Sequence, residues 1–237
     1  MADASTGWLD AQHLEPDTQS YPFLTIQDLK HKVRHARQST KEDRTSQSQY
    51  LLFTNVTHET AENICHHVAT LIGKASRIFY EASSNRLLIK LSSRPHEEAA
   101  GQISRLIIRQ TESMGLGDAL SSTGSATVRE GRSGKEPDSS YMLENPPAGR
   151  RGQWPNVVVE VGYSSSDFSV KLSTDAAWWI VSSRGDVQLA IVVHISREQP
   201  HILIELWGAT ILRLYRPRGT GVFESSHSPK CQYSASE

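Results

Sequence analysis

The sequence predicts an α/β fold, a central mixed sheet flanked by helices. Three observations predict it. Apolar residues recur at helical spacing in several separate segments, runs of strand length rich in valine, isoleucine and leucine lie between and after them, and no apolar run reaches the about 18 residues that a membrane helix needs. The 237 residues suffice for one substantial core, and a hydrophobic content of 37% is slightly low for a globular chain, so loose margins are expected.

Residues 1 to about 22 show no periodicity, after which Ile26, Leu29, Val33 and Ala36 recur at helical spacing among Lys30, Lys32, Arg34, Arg37, Lys41 and Arg44. Residues 1–50 therefore read as a partly disordered amino-terminal arm with a basic helix. Such a charge run is more often the solvated face of a packed helix than a phosphate-binding arm. A second helix follows Thr57, with Ala61, Ile64, Cys65, Val68, Leu71 and Ile72 on one side and Gly73 as its stop. His58, Cys65, His66 and His67 lie here, but adjacent helical residues point about 100° apart, so surface histidines are the better reading than a zinc site.

Arg77 to Tyr80 and Arg86 to Leu91 read as a hairpin across a polar turn at residues 83–85. Pro95 opens the next helix, with Glu97 and Glu98 at its positive end and Ile103, Leu106 and Ile107 facing inward, and it stops near residues 114–117. Residues 118–135 are rich in Ser, Thr and Gly, with a short strand at 126–129, and deliver the chain to KEPDSSYML.

That segment and the following WPNVVVEVGYSSS carry the chemistry. Asp138 stands at the mouth of one strand, and Glu160 lies inside the valine run of the next. A carboxylate removed from water is costly unless it is paired, hydrogen-bonded or bound to a cation. Two acids on neighbouring strands offer hard oxygens to magnesium or manganese, which can activate water and hold a phosphodiester oxygen. The plain alternative is an ion pair, with Arg150, Arg151 or Arg213 neutralising Glu160. An Asp and a Glu separated by 160 − 138 = 22 residues are common by chance, so the signal rests on context.

A helix capped by Ser166 or Asp167 then runs to Ser182, with Phe168, Leu172, Ala176 and Trp179 as its apolar stripe and Gly185 beyond its end. Lys171 and Asp175 are spaced as an ordinary surface pair. Trp179 belongs to the core stripe, Trp178 is the one aromatic placed for a ligand contact, and Trp154 reads as a strand-entry plug. Strands at residues 187–195 and 202–207 complete a domain of residues 51–215, and residues 216–237 read as a disordered tail. Cys65 and Cys231 are too few and too far apart for a disulfide scaffold, and the amino terminus lacks the apolar core of a secretory signal. An intracellular protein, cytoplasmic or nuclear, with no membrane partner is expected. The net charge of −1 gives no overall pull toward nucleic acid.

The motifs KEPDSSY and WPNVVVEVGYSSS, with the following helix and the strand HILIELW, resemble the PD-(D/E)XK superfamily, and within it an Uma2-like group of uncharacterised fungal proteins, over about residues 77–208. The resemblance implies a restriction-endonuclease-like fold and a metal-dependent nuclease acting on DNA or RNA, with a homodimer as an expected assembly. Carried over by position, Pro137 and Asp138 match "PD" and Glu160 matches the second acid. Glu97 is placed like the helical acid that joins the Mg2+ or Mn2+ ligands in some members. Where the signature has lysine, this chain has Gly162. Lys171 on the next helix would then supply the catalytic cation, although it sits one turn early when Trp178 is aligned with the group's aromatic. The alternative is a catalytically inactive member that serves as a nucleic-acid or protein interaction module.

Overall fold

The computed structural model describes residues 7–9, 14–15, 17–42, 48–164, 169–197, 201–208 and 232–234. It is a mixed α/β arrangement, and its strands divide into two mixed sheets flanked by helices.

The first sheet has the order β1 (Gln19–Pro22), β2 (Tyr50–Thr54), β4 (Arg86–Leu91), β3 (Ser76–Glu81), β7 (Ser133–Lys135), β6 (Val128–Glu130). Only β1 and β2 pair in parallel; the other pairs are antiparallel. The β3–β4 hairpin turns as its sequence predicts, with Asn85 at φ 51°, a left-handed position that asparagine tolerates. Because strand side chains alternate, one face of this sheet presents Leu51, Phe53, Ile78, Tyr80, Leu87 and Ile89, all buried against α1 (Ile26–Glu42) and α2 (His58–His66). The basic helix α1 is thus packed through Leu29, Val33 and Ala36. Two of its cations are spent locally, Lys32 on Asp28 at 2.8 Å and Arg37 on the Ala75 carbonyl at 2.7 Å.

The helix expected over residues 60–72 is broken at His67 into α2 and the single turn α3 (Val68–Leu71). His67 Nδ1 sits 2.9 Å from the Asn63 carbonyl, while the His67 amide turns to Ile64 O at 3.1 Å. The ring thus competes for the acceptor that an unbroken helix would give the backbone.

The second sheet has the order β12 (Gln232–Ser234), β11 (Ile202–Gly208), β10 (Leu189–Ser196), β9 (Val157–Ser164), β8 (Ser139–Leu143), β5 (Leu120–Ser122), with β9 and β10 parallel. Helix α4 (Arg94–Ser113), capped by Ser93 with Pro95 in its first turn, covers one face, where Ala100 joins Tyr141, Val159, Val161 and Val193. Helix α5 (Ser169–Ser182) covers the other. There Leu172, Ala176, Trp178 and Trp179 meet Val158, Ala190 and Val192 of the second sheet together with Tyr50, Phe79 and Leu88 of the first.

The chain passes from the first sheet to the second through Glu136 and Pro137, between β7 and β8. Proline has no amide to add to either ladder, which suits a crossing point. The caps expected at Ser166 and Asp167 lie outside the described residues, as does most of the tail, residues 209–231 and 235–237. Among the described residues, no helix is long and apolar enough to cross a membrane.

Candidate functional site

The crossing point places Asp138 at the start of β8, where its amide donates to the Val159 carbonyl at 3.2 Å. Glu160 lies on β9 beyond that carbonyl, on the face that α5 covers, because its neighbours Val159 and Val161 point to α4. The two acids do meet around one group, the ammonium of Lys90 from β4. Lys90 Nζ donates to Asp138 Oδ2 and to the Val161 carbonyl, each at 2.6 Å, and stands 3.9 Å from Glu160 Oε2.

The remaining polar atoms fill in around this contact. Asp138 Oδ2 also accepts the Val161 amide at 2.7 Å, while Arg77 lies 3.7 Å from Asp138 Oδ1. His96 Nε2 approaches Asp138 Oδ2 to 3.0 Å outside the angle a hydrogen bond needs. Glu160 Oε1 accepts the indole N–H of Trp179 at 2.6 Å and faces Lys135 Nζ at 3.6 Å. Lys135 in turn contacts Asp175, whose other oxygen binds Lys171. Three acids and three lysines thus alternate through the junction of the two sheets and α5.

The junction is closed. The side chains of Asp138 and Glu160 are 0% and 4% exposed. Trp154, Trp178 and Trp179 are buried beside it, with the Trp178 and Trp179 rings 4.8 Å apart at 86°. Lys135 Nζ lies 5.3 Å from the Phe79 ring centroid and 5.4 Å from those of Trp178 and Trp179, a cationic head held against aromatic faces. Lys171 Nζ lies 4.8 Å from the Tyr50 ring centroid.

The two acids respond to this setting in opposite directions. Burial would raise the Asp138 carboxyl, but the charges of His96 and Lys90, the hydrogen bond to His96 and the charge of Arg77 hold it well below the usual carboxylate range. Burial raises Glu160; Lys135 and Lys90 oppose this from longer range, and the negative charges of Asp175 and Asp138 reinforce it. Burial also acts on Asp175, yet Lys135 and Lys171 keep it low. Lys171 is lowered by burial despite Asp175. His96 would be lowered by burial, and the Asp138 charge carries it above the ordinary histidine value.

The residues singled out in the sequence are therefore partly united. Asp138 and Glu160 share Lys90, whereas Lys171 is one link further away, on Asp175. Lys171 and Asp175 are not the surface pair their spacing suggested, since both are buried. Glu97 is 43% exposed and faces Arg77 and His96, each at 3.6 Å, with its carboxyl lowered chiefly by His96. Trp178 is buried and takes part in the core, which corrects its reading as a ligand contact. Arg150 is spent on the carbonyls of Trp154 and Asp186, and Arg151 on the Asp186 carboxylate, so neither neutralises Glu160; Arg213 lies outside the described residues.

Gly162 is explained by packing. A Cβ added there would meet Leu172 Cδ1 at 2.6 Å, so α5 occupies the space that a side chain two residues beyond Glu160 would need. Sequence reasoning missed Lys90, Lys135 and His96. The signal for Lys90 was present in RLLIKL, a charge within an apolar strand, as unusual there as Glu160 among valines.

As to metal, the donor set does not fit as it stands. Lys90 takes the point where Asp138 Oδ2, Glu160 Oε2 and the Val161 carbonyl converge, and among the described residues no group of three or more His, Cys, Asp and Glu side chains is arranged to hold an ion. Cys65 and the neighbouring histidines form no such group either; burial pushes the Cys65 thiol up to about 12.

No family model and no curated protein matches the chain. Among solved structures, it is similar to a crystal structure of a candidate nuclease belonging to DUF820 from Anabaena variabilis, with a TM-score of 0.40 and 10% identity over 56% of this chain and 72% of that one. Likeness at that level says nothing about chemistry, which rests on the side chains.

Proposed function

We propose that this chain is a catalytically silent member of the nuclease-like superfamily its motifs resemble, and that it works as an interaction module for protein or nucleic acid. One observation carries the reading. The acids that a nuclease would turn toward a metal and a scissile phosphate are buried, and they are neutralised by Lys90, Lys135 and their neighbours. A centre in which each charge already has a partner holds two sheets and a helix together, and it offers neither an open coordination position nor a path for a phosphodiester.

Binding would then use the outside of the molecule. The outer side of α4 exposes Leu106 and Ile108 beside Arg105 and Arg109, and Met114 and Leu116 stand exposed just past its end. A contiguous apolar patch rimmed by charge is the kind of surface that proteins bury on association. None of these residues is among the partners of Asp138 or Glu160 described above.

A second reading, a magnesium- or manganese-dependent nuclease, is favoured by one observation only. The Asp138, Glu160 and Val161 oxygens converge on a single point, as metal ligands would. Cleavage assays decide between them. With Mg2+ or Mn2+, plasmid, single-stranded DNA and RNA should all remain intact, and calorimetry should show no manganese binding. Metal-dependent cleavage that disappears in both Asp138→Asn and Glu160→Gln would establish the nuclease and overturn the silent reading.

A further inference from the structure

We infer that the Lys90 ammonium is a resident substitute for a divalent cation, so that removing it unmasks a metal site in this chain. The inference rests on the silent reading above and goes one step beyond it, from a neutralised centre to the single residue that blocks it.

Three oxygens of different origin converge on Lys90 Nζ: Asp138 Oδ2 at 2.6 Å, the Val161 carbonyl at 2.6 Å and Glu160 Oε2 at 3.9 Å. Carboxylate and carbonyl oxygens are the hard donors that magnesium, manganese and calcium take. An ammonium uses them as hydrogen-bond acceptors instead. Lys90 supplies one positive charge where two carboxylates meet. The nearest other cations, Arg77 at 3.7 Å from Asp138 and Lys135 at 3.6 Å from Glu160, touch the oxygens on the far sides.

A second observation, independent of the acids, points into the same spot. His96 is fully buried, and neither of its ring nitrogens has a hydrogen bond of acceptable geometry, although Nε2 is 3.0 Å from Asp138 Oδ2. Asp138 Oδ1 is likewise buried without a hydrogen bond. Buried polar groups nearly always find partners, so an imidazole and a carboxylate oxygen left short beside a cation are donors that this cation does not use. Manganese, which accepts both imidazole nitrogen and carboxylate oxygen, would use them.

Lys90 also explains why the cage persists in a closed site. Its stem runs from β4 in the first sheet and its head ends on β8 and β9 in the second, so the cation is tethered across the sheet junction and cannot dissociate. A diffusible metal would need an entry path and open coordination positions, and the tethered ammonium needs neither.

The test uses the full chain and manganese chloride as the probe. Wild type should show no calorimetric binding and no change in melting temperature with manganese. Lys90→Ala should melt lower than wild type without metal, bind manganese near one equivalent, and regain several degrees of melting temperature on its addition, since a ligand that binds only the folded state stabilises it. That gain should vanish in Lys90→Ala/Glu160→Gln. A folded Lys90→Ala protein that ignores manganese overturns the inference while leaving the silent reading intact. Manganese binding by wild type that is lost in Asp138→Asn overturns both.

If Lys90→Ala fails to fold, reductive dimethylation of the native protein, mapped by mass spectrometry, still decides. Lys90 should stay unmodified with and without manganese while exposed lysines react. Manganese-induced modification of Lys90 would mean that the metal displaces the ammonium, and the inference fails.

Discussion

The two faces of β9 are built on different principles. Val157, Val159 and Val161 close one face against α4 with Ala100, Tyr141 and Val193, a surface sealed by shape and apolar contact. Val158, Glu160 and Gly162 form the other, where α5 lies against a strand carrying a buried acid and a residue with no side chain. The first face is held by terms that are local and nearly additive, each fully buried valine worth about 1.5–3 kcal/mol. The second depends on a chain of opposite charges from four strands and a helix, each favourable only while its neighbours are present. One strand thus shows that burial of carbon is unconditional, whereas burial of charge depends on its company.

The largest expected break lies on the charged side. Asp138→Ala removes the acceptor of Lys90 and leaves that ammonium, with Arg77 and His96, buried beside an empty position. Losing one partner of a buried pair costs about 3–5 kcal/mol, read as a fall in the urea midpoint. The loss should depend on pH. Because the folded-state value of Asp138 lies below the model value of 3.8, its contribution is present above about pH 4 and lost as the pH falls through the folded value. The gap between wild type and variant should therefore narrow in acid. Glu160 carries the opposite sign, since its raised value disfavours the fold as the pH climbs above its ordinary range.

On the apolar side, Val159→Ala should cost about 2 kcal/mol through lost transfer energy and a small cavity, with the same difference at pH 4 and pH 8. The smallest effect is expected at the seam between the two regimes. Gly162→Ala forces Leu172 to move and should cost about 1 kcal/mol, the low end for an overpacked site whose obstacle is a side-chain tip. An Asp138→Ala loss no larger than that of Val159→Ala, and equally flat with pH, would erase the distinction between the faces.

Much of this contrast was legible in the sequence, but unevenly. The helices α4 and α5 and the β3–β4 hairpin announce themselves through periodicity, caps and turn residues, because those signals are local. β1, β5 and β7 do not, being three or four residues long and largely polar, so only their partners make them strands. The division of the strands into two sheets is also invisible locally, since it depends on where the chain crosses at Pro137. For the site, Glu160 among valines marked a buried acid correctly. Which cation answers it was not legible. Lys90 is 70 residues from Glu160 in sequence (160 − 90 = 70) and reaches it only because one sheet stacks near the other. The spacing of Lys171 and Asp175 was right for a pair, yet its burial follows from Lys135 arriving on β7.

The central claim is that Lys90 and Asp138 act as one unit. A double-mutant cycle with Lys90→Met and Asp138→Asn, followed by urea unfolding at pH 7, measures this directly. The coupling should reach about 1.5–3 kcal/mol, with the double variant more stable than the sum of the single losses implies. Additive losses, agreeing within about 0.5 kcal/mol, would contradict it and show that the buried acids do not depend on their lysine.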